Sequence, residues 1–247
     1  MAQFDPRSAA SAYPTRTGAV VDEGLRSYML GVYNYMAAGV ALTGVAAYVT
    51  SMMAVGADGQ LTAFGTALYA SPLKWVVMLA PLAFVFFLSF RIEKMSVGAA
   101  QLTFWLFAAV MGVSLSSIFL VFTGESIVRT FFVTAASFGA LSLWGYTTKR
   151  DLTGMGTFLI MGVFGLIIAM IVNIFLQSSA LQFAISAIGV LVFAGLTAYD
   201  TQKIKEMYYE GDEVLVAGRK AIMGALTLYL DFINLFTFLL SFMGNRE

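Results

Sequence analysis

The segment LTGMGTFLIMGVFGLIIAMIVNIFLQSSALQFAISAIGVLVFAGLTAY, residues Leu152–Tyr199, runs for 48 residues without a charged side chain. As one α-helix it would be about 72 Å long, because each helical residue adds about 1.5 Å. The hydrocarbon core of a bilayer is about 30 Å thick, and about 20 helical residues cross it. The segment therefore predicts two membrane-spanning helices, and the polar residues Gln177, Ser178 and Ser179 predict the turn between them.

The remainder of the chain contains further long uncharged stretches. The protein is 60% hydrophobic and 11% charged, whereas soluble domains are about 45–50% apolar and about 25% charged. We therefore predict an all-α membrane protein, with a polar, mobile cytoplasmic tail at residues 1–26 and one transmembrane domain at residues 27–247. The seven predicted helices are 27–50, 73–92, 97–123, 127–147, 155–176, 181–203 and 221–243.

Composition also excludes several classes of function. Lys plus Arg equals Asp plus Glu at 14 each, so no basic excess is available to bind nucleic acid. The chain has no Cys and no His, which removes thiol nucleophiles, the usual zinc ligands and the usual proton shuttle. We expect no cofactor, and any proton chemistry must use Asp, Glu, Lys, Arg or Tyr.

The distribution of basic residues predicts the orientation of the chain in the membrane. Cytoplasmic loops carry an excess of Lys and Arg. With a cytoplasmic N-terminus, 11 basic residues lie inside and three lie outside, so we predict the N-terminus inside and the C-terminus outside. The inside set is Arg7, Arg16, Arg26, Arg91, Lys94, Lys149, Arg150, Lys203, Lys205, Arg219 and Lys220, and the outside set is Lys74, Arg129 and Arg246.

Two aspartates lie inside predicted spans, where a central carboxylate costs about 2.5–3.5 kcal/mol to insert. Asp231 lies near the middle of predicted helix 7, and Asp200 lies near the inner end of predicted helix 6. Because consecutive antiparallel helices can be neighbours, we predict that the two carboxyls interact. Exact level matching needs helix 6 to run past its predicted end, which a tilt or a helical start to the 204–220 loop allows. Two such carboxyls do not both ionise easily and titrate as a unit, so the pair could act as a pH sensor without histidine.

Other polar residues lie close to this predicted pair. Thr227 and Asn234 share a stripe of helix 7 with Asp231, and Thr197 and Tyr199 precede Asp200. We predict that these four residues support the pair. Arg91 ends predicted helix 2 on the same inner side and is the predicted counter-ion. The structural alternatives are that each Asp is a helix-capping or interfacial acid and that Arg91 is an anchor whose charge reaches the membrane surface.

Three segments resemble one known family. They are LWGYTTKRDL at Leu143–Leu152, AYDTQKIK at Ala198–Lys205 and LYLDFINLF at Leu228–Phe236. Together they resemble bacterial members of the Bax inhibitor-1 (transmembrane Bax inhibitor motif) family, and the likeness covers about residues 25–244. The resemblance implies a central helix 7 surrounded by the other six helices. It places the protein in a bacterial inner membrane.

The same resemblance implies a pH-sensitive calcium leak channel whose sensor is a di-aspartyl pair. Asp200 and Asp231 match that pair, and Arg91 is the best match to an arginine of the family's helix 2. Calcium is then the permeant ion, bound transiently by Asp200 and Asp231 as hard oxygen ligands. The expected partners are the lipid bilayer, calcium ions and protons.

Three other functions compete with the channel. An intramembrane di-aspartyl protease also places Tyr-Asp on helix 6, as Tyr199 and Asp200 do here, but it requires Gly-x-Gly-Asp on helix 7. In this chain Asp231 follows Leu-Tyr-Leu, so we expect no enzyme activity. The protein could instead regulate a membrane protease as a binding partner without transport of its own. A proton-coupled transporter is the third, although the sequence names no substrate pocket.

Overall fold

The computed structural model describes residues 16–245, with side chains from residue 23 onward, and within that range the chain is built from seven long helices. Each is long and apolar enough to cross a membrane, so the all-α fold with seven spans is confirmed. Short helical turns at Thr66–Ala70, Ile92–Lys94 and Ser116–Leu120 lie between the spans. The long helices are α1 (Arg16–Ala54), α2 (Leu73–Arg91), α3 (Val97–Leu115), α4 (Gly124–Thr147), α5 (Thr153–Leu176), α6 (Ser179–Glu206) and α7 (Val214–Met243).

The start of α1 differs from the sequence prediction. The helix begins at Arg16, so residues 16–26 of the predicted polar tail are helical and continuous with the first span. Residues 1–15 of that tail lie outside the described residues. Polar and charged residues did not stop the helix here, because no proline lies between Arg16 and Arg26 to interrupt it.

The predicted turn between α5 and α6 is confirmed. Gln177 ends α5 in a left-handed conformation with φ of 48°, a conformation that commonly ends helices. Ser178 then caps α6, because its hydroxyl accepts a hydrogen bond from the N–H of Leu181 at 3.3 Å. The Asn173 amide closes the turn by donating to the Gln182 side chain at 3.1 Å and accepting from the Ser178 N–H at 3.0 Å.

Helix α7 is the most buried of the spans. Two thirds of its apolar window is buried, 67% against 39% or less for every other span in residues 16–245. Helices α1, α3, α4 and α6 all pack against it, whereas the principal helix contacts of α2 and α5 are with α3 and α6 respectively. Four helices therefore pack closely against α7, and the implied ring of six helices around it stays an expectation. The two most apolar spans, α2 and α5, have most of their apolar surface left for lipid.

The register between α6 and α7 is set by close contacts of two glycines. A Cβ placed on Gly189 would lie 2.4 Å from the Phe238 ring, and one on Gly224 would lie 2.9 Å from Ile204. These distances are too short for a side chain, so the phenylalanine ring and the isoleucine occupy the space that the glycines leave. The antiparallel helices are thereby fixed at two levels, and the predicted carboxyl pair lies between them.

The loop between α6 and α7 is shorter than predicted. Helix α6 continues to Glu206 and α7 already begins at Val214, which leaves only residues 207–213 as a connection. That connection is held against the first turns of α7, because Lys220 donates to the carbonyl of Met207 at 3.0 Å and forms an ion pair with Asp212 at 2.5 Å. Helix α6 therefore runs past its predicted end at residue 203, as the level match required.

Candidate functional site

The structure brings the two intramembrane aspartates together. The carboxyl groups of Asp200 on α6 and Asp231 on α7 face each other within hydrogen-bonding reach. Asp231 is buried, with 5% of its surface exposed, and Asp200 is half-buried. The structure therefore brings the two carboxyls together, and their role as a sensor stays a prediction.

One oxygen of this pair has no hydrogen-bond donor. Oδ2 of Asp231 is fully buried and receives no hydrogen bond from any N–H or O–H group of the described residues. A buried carboxylate oxygen without a donor is costly. A proton shared between Asp200 and Asp231 would remove that cost, because one carboxyl could then donate to the other.

The positive charge near the carboxyl pair comes from Lys203 on α6 and not from Arg91. Lys203 lies one turn after Asp200 and acts on it electrostatically, while its ammonium group also lies 5.9 Å from the centre of the Tyr199 ring. Arg91 is exposed at the end of α2 and forms no ion pair within residues 23–245. Because α2 packs mainly on α3, the structure does not place Arg91 beside the carboxyls. Its role as counter-ion stays a prediction about a different conformation.

The four predicted supporting residues do not hydrogen-bond to the pair in the described part of the chain. Thr227 and Asn234 donate to the carbonyls one turn earlier in α7, at 3.1 Å and 2.8 Å. Thr197 is fully buried and donates to Phe193 of its own helix at 2.8 Å. The ring of Tyr199 packs against α5, where a Cβ on Gly156 would lie 2.4 Å from it. These residues therefore shape the helices that carry the pair, and direct support of the carboxyls is not seen.

A chain of hydroxyls, which sequence reasoning missed, joins three helices beside Asp200. Thr201 donates to the Thr197 carbonyl at 2.7 Å, so Ser142 of α4 must donate to Thr201 at 2.9 Å and Tyr33 of α1 to Ser142 at 2.6 Å. The signal was present as polar residues inside apolar spans. Which of these polar residues would contact each other depends on how the helices pack, and helix packing could not be read from the sequence.

Gln202 was also missed, although it lies two residues after Asp200. Its side-chain oxygen accepts from the N–H of Leu152 at 2.9 Å, and its side-chain nitrogen donates to the carbonyl of Arg150 at 2.9 Å. The side chain thus attaches the loop between α4 and α5 to the carboxyl-bearing end of α6. The amide satisfies one donor and one acceptor of a backbone that would otherwise lack partners.

The cation-binding capacity of the described residues is small. No group of three or more Asp, Glu, His or Cys side chains within residues 16–245 is arranged to hold a metal ion. Calcium bound tightly in proteins takes six to eight oxygen ligands. Two carboxyls alone therefore suit brief contact with a passing ion and not a resident ion.

Comparison with known proteins agrees with the segments quoted above. A family model described as inhibitor of apoptosis-promoting Bax1 matches residues 25–247. The chain belongs to the Bax inhibitor-1 family. The AYDTQKIK and LYLDFINLF segments, which carry Asp200 and Asp231, both lie inside the matched range.

Several bacterial relatives match the chain along almost its whole length. A protein of Rickettsia prowazekii is 50% identical over 234 residues, 94% of this chain and 95% of its own. A protein of Caulobacter vibrioides is 49% identical over 251 residues, covering both chains completely. The inner membrane protein YbhL of Escherichia coli is 47% identical over 226 residues, 91% of this chain and 94% of its own. The name of this last Bax inhibitor-1 relative agrees with the predicted bacterial inner membrane location.

Proposed function

We propose that this Bax inhibitor-1 family protein is a pH-sensitive calcium leak channel of the inner membrane, gated by Asp200 and Asp231. The observation that carries the proposal is the carboxyl pair itself, which joins the most buried span to its neighbour α6. In a conformation with a shared proton, the pair holds α6 and α7 together and α7 fills the centre of the bundle. We take this to be the closed state.

Loss of the shared proton changes the sign of the interaction between the two helices. Two carboxylates about 4 Å apart repel each other by about 4 kcal/mol at an effective dielectric constant of about 20. That energy is comparable to a large fraction of a protein's net stability. It is sufficient to favour a second arrangement of α6 and α7, in which a negatively charged path admits a cation. Flux should therefore rise as pH rises.

The chemistry of the pair suits calcium, although it does not suit a large current. Calcium prefers hard oxygen ligands, and two carboxylates supply them. Dedicated channels use rings of acids or carbonyl filters, whereas residues 16–245 contain no cluster of three carboxylates arranged for a metal. A slow leak fits this sparse set of ligands.

Peptide-bond hydrolysis by the same two aspartates has less support. Helix α7 runs without interruption from Val214 to Met243, so the backbone around Asp231 is fully hydrogen-bonded within the helix. A protease needs backbone that can approach its substrate, and the residues before Asp231 are Leu228, Tyr229 and Leu230, all with bulky side chains.

The test is calcium entry into proteoliposomes that contain an indicator dye, measured at pH 6, 7 and 8. We expect wild-type flux to increase across this range. Asp200→Asn and Asp231→Asn should each flatten the pH dependence, because an amide can still hydrogen-bond to the remaining carboxyl but the pair can no longer carry two negative charges.

Asp151→Asn is the matched control for these substitutions. Hydrogen bonds from the Thr153 hydroxyl and backbone N–H, the latter at 2.8 Å, lower the pKa of the exposed Asp151 carboxyl, which keeps it charged throughout the range tested. This variant should follow the wild-type pH profile. Unchanged pH dependence in both pair variants, or no flux above empty liposomes at any pH, would overturn the proposal.

A further inference from the structure

A large cavity lies between α1 and α4, on the side of the molecule that sequence reasoning did not address. Both helices pack against α7 but leave a groove of about 770 Å³ between them, a volume within the usual range for ligand pockets. Phe232, the residue after Asp231, contributes to its floor. Most of the side chains around the groove are apolar, including Met29, Met36, Val40, Phe131, Phe138 and Phe232.

The groove opens sideways, toward the hydrocarbon of the bilayer. Leu30 and Leu143 at its rim are 50% and 64% exposed, and both belong to spans that cross the membrane. The ring contact of Phe131 with Phe232, at 5.7 Å between centroids, closes one end. The polar groups on the wall, Tyr33 and Ser142, are already hydrogen-bonded to each other at 2.6 Å. Apolar walls with satisfied polar groups favour a hydrocarbon occupant over water.

The other end of the groove carries positive charge. Arg26 lines the cavity there and is exposed, and no carboxylate of residues 23–245 forms an ion pair with it. Tyr146 lines the same end, and the ammonium group of Lys205 lies 5.1 Å from the centre of its ring and donates to its carbonyl at 2.8 Å. The groove therefore has a cationic mouth and an apolar interior.

We propose that this groove binds one acyl chain of an anionic phospholipid, with the phosphate headgroup at Arg26. The division into a charged mouth and an apolar interior matches the division of a phospholipid into headgroup and chain. The lateral opening lets the lipid enter from the bilayer without unfolding any helix. The inference does not depend on calcium transport, so either can fail without the other.

Gly139 offers a way to fill the groove without disturbing the fold. It lies on the wall of the cavity, and a Cβ added there meets no atom within 4 Å. Gly139→Leu should therefore occupy the space of the acyl chain. Gly165→Leu is the matched control, because Gly165 is also exposed in the middle of a span and a Cβ there also meets nothing within 4 Å, but it lies on α5, away from the groove.

The experiment is native mass spectrometry of the full chain released from nanodiscs that contain equal amounts of phosphatidylglycerol and phosphatidylcholine. Wild type and Gly165→Leu should each retain one phosphatidylglycerol, and Gly139→Leu should lose it. Arg26→Gln should retain lipid with the preference for phosphatidylglycerol reduced about fivefold, the ratio that corresponds to about 1 kcal/mol for one basic residue at an anionic surface.

Three results would contradict the proposal. Equal lipid retention by Gly139→Leu and Gly165→Leu would show that any bound lipid lies elsewhere. Retention of both lipids without preference by wild type would show that the cationic mouth selects nothing. A decrease in calcium flux in Gly139→Leu with unchanged lipid retention would mean that the groove holds water and belongs to the ion path. Thermal unfolding of each variant identifies any that has simply lost its fold.

Discussion

At the scale of single residues, one hydroxyl pair fixes α7 to two other helices. Thr43 of α1 donates to the Ala108 carbonyl of α3 at 2.8 Å, so the fully buried Tyr229 of α7 must donate to Thr43 at 2.6 Å. Thr43→Val leaves the tyrosine hydroxyl without a partner and should lower the free energy of unfolding by about 1–3 kcal/mol. Tyr229→Phe removes the same bond but leaves the Thr43 hydroxyl donating to the Ala108 carbonyl, so it should cost less. Chemical unfolding in detergent, followed by circular dichroism, measures both.

The double variant Thr43→Val with Tyr229→Phe decides whether this interpretation is correct. It should be more stable than Thr43→Val alone, because no buried hydroxyl is then unpaired. Thr237→Val is a control, since Thr237 bonds only to Ile233 of its own helix at 2.7 Å in the described structure. A double variant less stable than either single one would refute the proposed pairing.

At the scale of helices, the fit of Phe238 on Gly189 sets how α6 and α7 align and therefore whether the carboxyls meet. Gly189→Val would place side-chain atoms where the ring now lies, 2.4 Å from the Cβ position. We expect a loss of about 1–3 kcal/mol in the free energy of unfolding from overpacking. We also expect a changed pH profile of calcium flux, because α7 must shift relative to Asp200.

The compensating change gives this prediction its control. Gly189→Val combined with Phe238→Leu should recover part of the lost stability, because the leucine side chain is smaller than the phenylalanine ring and leaves room for the valine. Gly165→Val, on the lipid-facing side of α5, should change the free energy of unfolding little, because a Cβ there meets no atom within 4 Å and valine is no poorer a helix former than glycine. An equal loss of unfolding free energy in Gly189→Val and Gly165→Val would mean that the contact between Gly189 and Phe238 does not set the alignment of α6 and α7.

At the scale of the whole molecule, the distribution of basic residues predicts that the loops at 51–72 and 207–213 lie on opposite sides of the membrane. Because the chain has no cysteine, single thiols can report this directly. Asp58→Cys and Glu210→Cys each replace an exposed residue of one loop. In intact cells a membrane-impermeant maleimide should label the first, and it should label the second only after the membrane is made permeable. The opposite pattern would reverse the orientation.

Much of the architecture was predictable because the responsible physics is local. The polar turn at Gln177 and Ser178 follows from span length, and the spans follow from hydropathy. Arg16 and Val214 show where this fails. Both begin helices earlier than predicted. Hydropathy marks where a helix enters the membrane, but it does not mark where the helix begins in the polar sequence before that point.

The sequence by itself determined the membrane class, the seven spans, the two intramembrane aspartates and the family. It could do so because burying a charge in hydrocarbon is costly wherever the neighbours lie. Only the tertiary structure decided that Asp200 meets Asp231, that Arg91 forms no ion pair within residues 23–245 and that α1, α3, α4 and α6 pack against α7. Those facts depend on which helix faces fit together, as at Gly189 and Phe238. Such fits arise between residues far apart in the chain, so no single stretch of sequence contains them.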